Sequence, residues 1–373
     1  MNIQKKKVFV GVSGGVDSSV SAALLKDQGY DVVGVFIRTW TPEWIECTWR
    51  DERRDSMRVC AHLDIPFLEC DAVDAYKKGV ADYMISEYRA GRVPNPDVMC
   101  NREVKFGAFW EFAKARGADF IATGHYARIT KGDSGELKVE SYKVKSKNEN
   151  PNSLLATSYH LQAGADSAKD QSYFLWTLNK EDLSHTLFPI GHLEKSDVRK
   201  LAEKYRLPTA TKKDSQGVCF IGEIDMKEFL KHYIETSPGT VLDESGAVIG
   251  NHDGAFLFAL GERHGFTITK KGSDDPRYFV VAKDMEKNTI TVSENPPHES
   301  KESHTTYTLI RTNMRIIPDF QKRYKAQIRY HGEFFDVKVL DNTLTFLQPL
   351  LISPGQSVVV YDGDLCLGGG IIQ

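Results

Sequence analysis

The feature that most constrains the fold of this chain is a segment rich in glycine and serine near its N-terminus. The segment Ser13-Gly-Gly-Val-Asp-Ser-Ser19 follows a short apolar run, Val8–Val12, and leads into residues with helical spacing, Ser18–Lys26. A short β-branched run predicts a buried strand, and a strand that turns through glycines directly into a helix is typical of a β-α-β unit. We therefore expect the chain to begin with a parallel sheet covered by helices.

Segments typical of strands and of helices continue to alternate up to residue 128. Strands separated by helices of this length predict an α/β fold, with a parallel sheet and helices on both of its faces. The further predicted strands are Val32–Ile37, Pro66–Glu69 and Phe120–Thr123, and the further predicted helices are Asp55–His62, Ala75–Tyr88 and Asn101–Arg116.

The pattern changes in the second half of the chain. Helical spacing returns at Gln171–Leu178, Ser196–Tyr205 and Met226–Tyr233, and short β-rich runs separated by Gly, Asp and Asn begin at Gly239. The final runs predict a small β-barrel, and the polar stretch Lys143–Ser153 predicts an exposed flap. We expect an α/β catalytic domain at residues 1–222, a central, mainly β domain at 223–298 and a C-terminal β-barrel at 303–373. The predicted barrel strands are Tyr324–Tyr330, Phe334–Leu340, Leu344–Leu347 and Ser357–Tyr361.

Composition excludes several classes of protein. The 48 Lys and Arg residues and 51 Asp and Glu residues give a net charge of −3, so overall charge does not predict a nucleic-acid partner. The six cysteines form no CxxC pair, which disfavours a zinc ribbon and a disulfide-rich secreted scaffold. No apolar run reaches the length of a membrane span, and the first strand begins too early for a leader peptide. We expect reduced thiols, no membrane partner and a cytoplasmic location.

The loop at residues 13–19 has the chemistry of a phosphate site. Its glycines let the backbone approach an anion, and the helix that follows presents unpaired N–H groups and a positive dipole end. Ser13, Ser18 and Ser19 can donate hydrogen bonds to phosphate oxygens, and Asp17 can hold Mg²⁺. The loop is not a Walker A motif, because it has no GK[ST] lysine. His125, which follows the predicted strand at Phe120–Thr123, is interpreted as a residue of the same site.

Two cysteines lie in segments that favour reactivity. Asp97 predicts an N-cap that would place Cys100 in the first turn of a helix, where the dipole, Arg102 and Lys105 would lower a thiol pKa. The alternative is an ordinary buried cysteine at the start of a helix. Cys219 lies in the segment 214–222, DSQGVCFIG, where Gly217 permits a sharp turn. Taken alone, that segment leaves a functional and an incidental cysteine equally open.

The loop resembles that of the PP-loop ATP pyrophosphatases, and further motifs resemble one family within them, the tRNA-specific 2-thiouridylases (the MnmA/TrmU family). The resemblance covers almost the whole chain, although residues 131–168 are longer than the family pattern leads us to expect. Its motifs are GVSGGVDSSV at 11–20, NPDVMCNREVKFG at 95–107, ATGHYAR at 122–128, KDQSYFL at 169–175, DSQGVCFIG at 214–222, GERHG at 261–265 and IRY at 328–330.

The resemblance implies roles for individual residues. It implies an ATP site at Gly11, Val12, Ser13, Gly14, Gly15, Val16, Asp17, Ser18, Ile37 and Gly124. It implies that Asn95, Pro96 and Asp97 meet the target base, and that Lys169, Asp170, Gln171, Arg329 and Tyr330 contact tRNA. It also implies that Cys219 receives sulfur as a persulfide, that Cys100 is its partner thiol and that Asp97 is a general acid or base.

The reaction implied by the resemblance is ATP-dependent 2-thiolation of the wobble uridine in glutamate, lysine and glutamine tRNAs. ATP adenylates the uridine O2, Mg²⁺ neutralises the phosphates, and sulfur from the Cys219 persulfide replaces the activated oxygen. A Cys100–Cys219 disulfide would remain. The implied partners are tRNA and a persulfide carrier protein or cysteine desulfurase. Clusters of Lys and Arg at residues 195–213 and 311–331 give weaker, independent support for RNA binding.

Three other hypotheses stay open at this point. Asp97, Cys100 and Cys219 would instead ligate an iron–sulfur cluster that carries the sulfur. A different PP-loop ATP pyrophosphatase would need neither Cys219 nor tRNA. A non-catalytic RNA-binding protein with a relict loop would bind tRNA without Asp17 or either cysteine.

Overall fold

The computed structural model describes residues 5–45, 49–132, 158–213, 225–269 and 277–373. Three sheets organise these residues: a five-stranded parallel sheet, a five-stranded mixed sheet and an eight-stranded antiparallel sheet. The predicted segments around Lys143–Ser153 and Cys219 lie outside the described residues. Within the described part of the chain, no helix is both long and apolar enough to cross a membrane.

The first sheet confirms the predicted parallel α/β fold. Its strand order is β3-β2-β1-β4-β7, and every neighbouring pair in it is parallel. The central strand β1 is buried because helices cover both faces, which explains its unbroken apolar sequence. The strands are β1 (Lys7–Gly11), β2 (Asp31–Arg38), β3 (Phe67–Asp71), β4 (Phe120–Ala122) and β7 (Thr186–Leu187).

Nine α-helices are present in the described residues, and two π-helical segments join four of them into longer runs. They are α1 (Val16–Asp27), α2 (Trp49–His62), α3 (Val73–Tyr76), α4 (Tyr83–Arg89), α5 (Pro96–Cys100), α6 (Phe109–Lys114), α7 (Lys180–Ser184), α8 (Lys195–Lys204) and α9 (Met226–Lys231). Lys77–Asp82 links α3 to α4, and Asn101–Ala108 links α5 to α6. The second run, called the 96–114 helix below, is important for the candidate site.

The 96–114 helix begins earlier than the sequence predicts. Asn95, not Asp97, is the N-cap, because its side chain accepts a hydrogen bond of 3.1 Å from the Val98 N–H. Pro96 then occupies the first turn, where its fixed φ suits a helix and its missing N–H costs nothing. Cys100 therefore lies in the second turn, and the expected placement in the first turn, closest to the dipole end, is wrong.

The prediction of a helix at Gln171–Leu178 is also wrong in extent. Only Ser172–Leu175 forms a helix, and it is a 3₁₀ turn. Asp170 explains the turn, since it accepts hydrogen bonds from the backbone N–H groups of Gly164 and Ser172 and holds the chain in a bend. The aromatic residues here are buried against the core, as the sequence indicates, with Tyr173 and Trp176 each 2% exposed.

The mixed sheet lies in the central part of the chain and has the order β10-β9-β8-β12-β11. Its strands are β8 (Gly239–Leu242), β9 (Val248–His252), β10 (Phe266–Ile268), β11 (Phe279–Asp284) and β12 (Thr289–Ser293). The β8 and β12 strands pair in parallel, and the other pairs are antiparallel. Helix α9 precedes this sheet, and Trp44 stacks on His232 just after α9 with ring centroids 3.8 Å apart.

The C-terminal region forms the predicted β-barrel. Six antiparallel strands follow one another in the order β13-β16-β15-β14-β17-β18, and pairing of β13 with β18 closes the barrel. Apolar side chains alternate inward, for example Val337 and Val339 on β15. The strands are β13 (His304–Met314), β14 (Tyr324–Gln327), β15 (Phe334–Leu340), β16 (Thr343–Leu350), β17 (Ser357–Asp362) and β18 (Leu365–Ile372).

A hairpin from the first half of the chain extends the barrel sheet. Its strands β5 (Ala127–Gly132) and β6 (Ser158–Ala163) pair with each other, and β6 meets β18 at Gln162 and Leu365. The Ala163 N–H donates to the Asp364 carbonyl at 2.8 Å. The barrel is therefore built directly onto the parallel-sheet region rather than tethered to it by a linker alone.

Candidate active site

The glycine- and serine-rich loop lies where strand β1 ends and helix α1 begins. Gly14 has φ of +71°, a conformation that a side chain disfavours, and Gly15 is the N-cap of α1. The Ser18 hydroxyl lies 3.3 Å from the Ser13 hydroxyl and 3.2 Å from the Ser13 N–H, so the loop folds back on the first turn of the helix. The Ser18 and Ser19 hydroxyls both donate to the Gly15 carbonyl, so these bonds hold the loop closed on the start of the helix, and phosphate binding there stays a prediction.

The loop occupies the switch point of the parallel sheet. The chain continues from β1 to β2 on one side, whereas β4 lies on the other side of β1. Crevices at the carboxyl ends of strands at such a point bind ligands in open α/β sheets. Gly124 follows β4 and touches the loop, since a Cβ at this position would lie 2.7 Å from the Ser18 nitrogen and 2.8 Å from the Asp17 carbonyl carbon. The structure thus brings Gly124 together with the 11–18 segment.

Ile37 lies on the other side of the loop. A Cβ at Gly11 would be 3.5 Å from both the Ile37 side chain and the ring of Phe109. Ile37 belongs to β2 and Phe109 to the 96–114 helix, so three elements form an apolar wall at the end of β1. Both side chains are buried in the present structure, so contact of Ile37 with a nucleotide stays a prediction.

Asp17 has partners that the sequence does not predict. The Lys195 ammonium lies 2.7 Å from its Oδ1 and 2.9 Å from its Oδ2, and the Tyr126 hydroxyl donates to Oδ1 at 2.8 Å. Lys195 belongs to α8 and Tyr126 follows Gly124 and His125. A single carboxylate beside a phosphate site fits Mg²⁺, which proteins hold through one or two carboxylates and the substrate phosphates. Magnesium binding at Asp17 would require Lys195 to move.

A second lysine lies on the opposite side of the loop. A Cβ at Gly14 would lie 2.7 Å from the Glu52 carbonyl and 2.9 Å from the Asp55 side chain, so α2 packs directly against the loop. Lys212 pairs with Asp55 at 2.8 Å, and its hydrogen bond and charge hold the pKa of the Asp55 carboxyl below its ordinary value. Burial raises the pKa of Glu52, which Lys212 partly opposes. Positive charge therefore flanks the loop on two sides.

The predicted base-binding residues lie at the start of the 96–114 helix. The Asn95 side chain caps the helix, and it also opposes the rise that burial causes in the pKa of Tyr173. Tyr173 in turn donates to the Ser357 carbonyl of the barrel at 2.9 Å. Cys100 is fully buried at the end of α5, within the main core cluster.

Tyr330 from the barrel faces the same region. Its ring lies 4.2 Å from that of Phe174 and stacks on His331 at 3.9 Å, measured between ring centroids. Burial, together with the negative charges of Asp170 and Asp97, raises the pKa of Tyr330 to about 12. Asp97 and Tyr330, which are far apart in sequence, are therefore close enough for their charges to interact. Arg329 donates to the Leu260 carbonyl at 3.2 Å and is exposed.

Lys169, Asp170 and Gln171 form the bend before the 3₁₀ turn. The carboxyl of Asp170 accepts hydrogen bonds from the Gly164 N–H, the Ser172 N–H and the Ser172 hydroxyl. Burial raises the pKa of this carboxyl, although the hydrogen bonds act to lower it. The Gln171 side chain accepts from the Tyr126 N–H at 3.0 Å. Two of these three side chains thus hold the local backbone, and their contact with tRNA stays a prediction.

His125 lies beside the loop but is enclosed. Its Nδ1 lies 2.7 Å from the Thr123 hydroxyl, and its ring is 5.8 Å from those of Phe106 and Phe188. Burial, with the charge of Lys105 adding to it, holds the pKa of His125 well below its ordinary value. The imidazole is therefore neutral at physiological pH.

The cysteines divide into two groups. Cys219 and Cys47 lie outside the described residues, so the distance between Cys100 and Cys219 stays untested. Cys60, Cys70 and Cys366 are buried, and burial raises the pKa of Cys60 and of Cys70 to about 11, which keeps both thiols protonated. Among the described residues, no group of three or more His, Cys, Asp and Glu side chains is arranged to hold a metal ion.

Sequence reasoning missed four residues of the candidate site: Lys195, Tyr126, Tyr173 and Phe174. Lys195 and Tyr126 reach Asp17, and the other two connect the 96–114 helix to the barrel. Lys195 was counted only within a basic cluster. Its position at the start of a helix, with no Asp or Glu three or four residues away in the sequence, is the one available signal.

Comparison with known protein families gives a consistent result along the chain. Residues 6–223 match the tRNA methyl transferase HUP domain, residues 227–294 the tRNA methyl transferase PRC-barrel domain, and residues 307–372 the aminomethyltransferase beta-barrel domain. Among solved structures, the U34-tRNA thiolase NcsA from Methanococcus maripaludis, with its [4Fe-4S] cluster, is 16% identical. That match covers 59% of this chain and 63% of the other, with a TM-score of 0.34.

Curated relatives match at much higher identity. The tRNA-specific 2-thiouridylase MnmA of Streptococcus thermophilus (strain CNRZ 1066) is 42% identical over 378 residues, covering 99% of this chain and 95% of the relative. The protein of the same name from Lysinibacillus sphaericus (strain C3-41) is 41% identical over 377 residues, covering 98% and 94%. Identity at this level over nearly the full length shows that the chain belongs to the tRNA-specific 2-thiouridylase MnmA family.

Proposed function

We propose that this chain is an ATP-dependent tRNA 2-thiouridylase that replaces the O2 atom of the wobble uridine with sulfur. The names of the family profiles refer to methyl transfer, whereas the full-length relatives are named for thiolation. We follow the relatives, because their match extends over 98–99% of the chain at 41–42% identity. The proposed substrates are the glutamate, lysine and glutamine tRNAs.

The observation that carries the proposal is the course of the 96–114 helix. Its first turn holds Asp97, whose negative charge acts on Tyr330. Its middle places Phe106 against His125 and Phe109 against Gly11, the first residue of the glycine- and serine-rich segment at residues 11–19, called the nucleotide loop below. Phe106 is nine positions after Asp97, which is about 13 Å at the α-helical rise and less here because Asn101–Ala108 is π-helical. One rigid element thus joins a site for a base to a site for ATP, at a spacing that a nucleotide can bridge.

The proposed chemistry starts at the nucleotide loop. ATP binds at Gly11, Val12, Ser13, Gly14, Gly15, Val16, Asp17 and Ser18, with Ile37 and Gly124 beside it. Attack of the uridine O2 on the α-phosphorus releases pyrophosphate and makes AMP the leaving group at C2. Mg²⁺, held by Asp17 and the phosphates, would neutralise negative charge there. Tyr126 keeps Asp17 in place by its hydrogen bond.

The sulfur step uses the two cysteines. The terminal sulfur of a Cys219 persulfide forms a bond to C2, and AMP departs with the former O2. The Cys100 thiolate then attacks the inner sulfur, which leaves the thiocarbonyl on the base and a Cys100–Cys219 disulfide on the protein. An external dithiol supplies the two electrons that reduce this disulfide. Asp97 acts as general acid or base for the protons involved, and a carrier protein or cysteine desulfurase reloads Cys219.

The base must leave the anticodon stack to reach this site. Unstacking in a single-stranded loop is inexpensive, and aromatic faces such as Tyr330 and Phe174 offer a replacement stack. We propose that Asn95, Pro96 and Asp97 contact the extruded base, and that Lys169, Asp170, Gln171, Arg329 and Tyr330 contact the tRNA around it.

The proposal is tested by nucleoside mass spectrometry after incubation of unmodified glutamate, lysine or glutamine tRNA with the protein, ATP, Mg²⁺ and a persulfide donor. We expect 2-thiouridine and AMP from the wild type, and at least a hundredfold less 2-thiouridine from Cys219→Ser and Cys100→Ser. Cys70→Ala is the matched control, since its buried, protonated thiol has no role in the reaction. Absence of 2-thiouridine and AMP with every tRNA would overturn the proposal.

The same variants separate the persulfide from an iron–sulfur mechanism. Anaerobic reconstitution with iron and sulfide should leave the wild type without cluster absorbance in the visible range, and chelators should not reduce thiolation. Cluster absorbance that is lost in Asp97→Ala, Cys100→Ser and Cys219→Ser would favour the cluster instead.

A further inference from the structure

The nucleotide loop contains no cation of its own. Residues 11–19 hold glycine, valine, serine and one aspartate, and neither lysine nor arginine. Backbone N–H groups and hydroxyls suit a phosphate, but the triphosphate of ATP carries several negative charges close to the carboxylate of Asp17. P-loop proteins meet this need with a lysine inside the loop. In this chain, a positive side chain from another element has to neutralise the phosphate charge.

Lys195 is placed to do so. Its backbone N–H donates to Asp166 at 2.9 Å, which fixes the start of α8, and its side chain is 15% exposed. The ammonium reaches both oxygens of Asp17, in the first turn of α1, from 178 residues away in the sequence. A lysine held at its base and enclosed along its stem loses little further freedom when it binds an anion.

Asp17 keeps a second partner if Lys195 changes its own. The Tyr126 hydroxyl donates to Oδ1 independently of the lysine, and Asp17 is 31% exposed toward the crevice. Withdrawal of the ammonium therefore leaves a carboxylate that is still hydrogen-bonded and open to a cation. Lys195 can therefore leave Asp17 for a phosphate while Asp17 takes up a cation, so neither charge is left buried and unpaired.

We propose that Lys195 is the phosphate-binding cation of this site. It pairs with Asp17 when no nucleotide is bound, and it moves to the β- and γ-phosphates when ATP binds, where it stabilises the pyrophosphate that leaves in the adenylation step. Its release of Asp17 frees that carboxylate for the metal ion. The inference concerns the same ATP site and rests on the proposed function for the identity of the leaving group.

Binding of ATP, AMP and pyrophosphate, each measured by titration calorimetry in the presence of EDTA, tests this proposal without catalysis. The Lys195→Met variant loses one charged hydrogen-bonding partner for the phosphates. We therefore expect it to bind ATP and pyrophosphate about tenfold to a hundredfold more weakly than the wild type. AMP has no β- or γ-phosphate, so its affinity should change less than about threefold. Lys195→Arg should retain most of the ATP affinity. Lys200→Met is the matched control, because Lys200 pairs with Asp197 on the exposed side of the same helix.

A double substitution separates direct contact from a role through Asp17. In an Asp17→Asn background the ion pair is already lost, so a lysine that only holds Asp17 would have no further effect. We expect Lys195→Met still to weaken ATP binding about tenfold in that background. The inference would be overturned if Lys195→Met lowered the affinities for ATP and AMP equally, or if it did not lower the ATP affinity in the Asp17→Asn background. Thiolation by the wild type is measured separately, so the proposed function can stand when this inference fails.

Discussion

At the scale of single residues, close backbone contacts decide the shape of the nucleotide site. Gly124 has no room for a side chain, because a Cβ would lie 2.7 Å from the Ser18 nitrogen and 3.1 Å from the Asp17 Cβ. The first of these atoms belongs to the rigid backbone of α1, so the strand and the helix would have to separate. Strand β4 and the loop thus form one surface only while this position is glycine.

We predict that Gly124→Ala weakens ATP binding by about tenfold or more, because the loop moves relative to β4. Gly117→Ala is the control: Gly117 has φ of +79° but open space around it, so this change carries a backbone cost alone. Titration calorimetry with ATP and thermal unfolding of both variants compare the two effects. ATP affinity of Gly124→Ala equal to that of Gly117→Ala would contradict the prediction.

At the scale of elements, the 96–114 helix combines structural and proposed substrate-binding roles in the same residues. Asn95 caps the helix through Val98 and also affects the pKa of Tyr173, which contacts the barrel. A loss of thiolation after substitution at Asn95 would therefore not by itself show a contact with the base. A variant that keeps the N-cap hydrogen bond but replaces the side-chain amide can distinguish the capping role of Asn95 from its proposed contact with the base.

We predict that Asn95→Ala lowers the free energy of unfolding by about 1 kcal/mol, the usual worth of an N-cap, and that Asn95→Ser keeps most of it. Both variants should thiolate tRNA poorly if the amide contacts the base. Urea unfolding and initial rates of 2-thiouridine formation measure the two properties. Full activity in Asn95→Ser would show that the cap, and not the amide, is what thiolation needs.

At the scale of the whole molecule, buried polar contacts join the barrel to the parallel-sheet region. Arg315 at the end of β13 donates to the carbonyls of Trp176 at 2.8 Å and Leu178 at 2.7 Å, and to that of Cys366 at 3.0 Å. Arg315 is buried, with 7% of the residue exposed. These contacts hold the aromatic 3₁₀ turn against the barrel, and through it Phe174 against Tyr330. We propose that the predicted domains at 1–222 and 303–373 act as one body for this reason.

We predict that Arg315→Met lowers the free energy of unfolding by about 2 kcal/mol or more, because charge-assisted hydrogen bonds to buried carbonyls are lost. The barrel should also unfold before the parallel-sheet region, so tryptophan fluorescence and far-UV circular dichroism should give separate urea transitions. Lys338→Met, on an exposed position of β15, should stay within about 0.5 kcal/mol of the wild type. Coincident, unshifted transitions in Arg315→Met would contradict this account.

The sequence by itself determined the fold class, the nucleotide loop and the barrel. These depend on local order: apolar runs with the period of a strand or a helix, glycines where a backbone turns, and a short strand followed at once by a helix. The exact start of a helix is harder to predict when it depends on one side chain. Asn95 and Asp97 both suit an N-cap, and Pro96 between them decides for Asn95, because proline favours the first helical position.

Only the tertiary structure decided which charges meet. The cluster of lysines and arginines at residues 195–213 predicts an RNA surface, yet Lys195 and Lys212 pair with Asp17 and Asp55 on two sides of the nucleotide loop. The charge of Asp97 reaches Tyr330 because the barrel contacts the 3₁₀ turn at Ser172–Leu175, which in turn contacts the 96–114 helix. Ion pairs and aromatic contacts depend on which helix packs beside which strand, and that order is set by the hydrophobic core of the whole chain, not by the residues next to each charge.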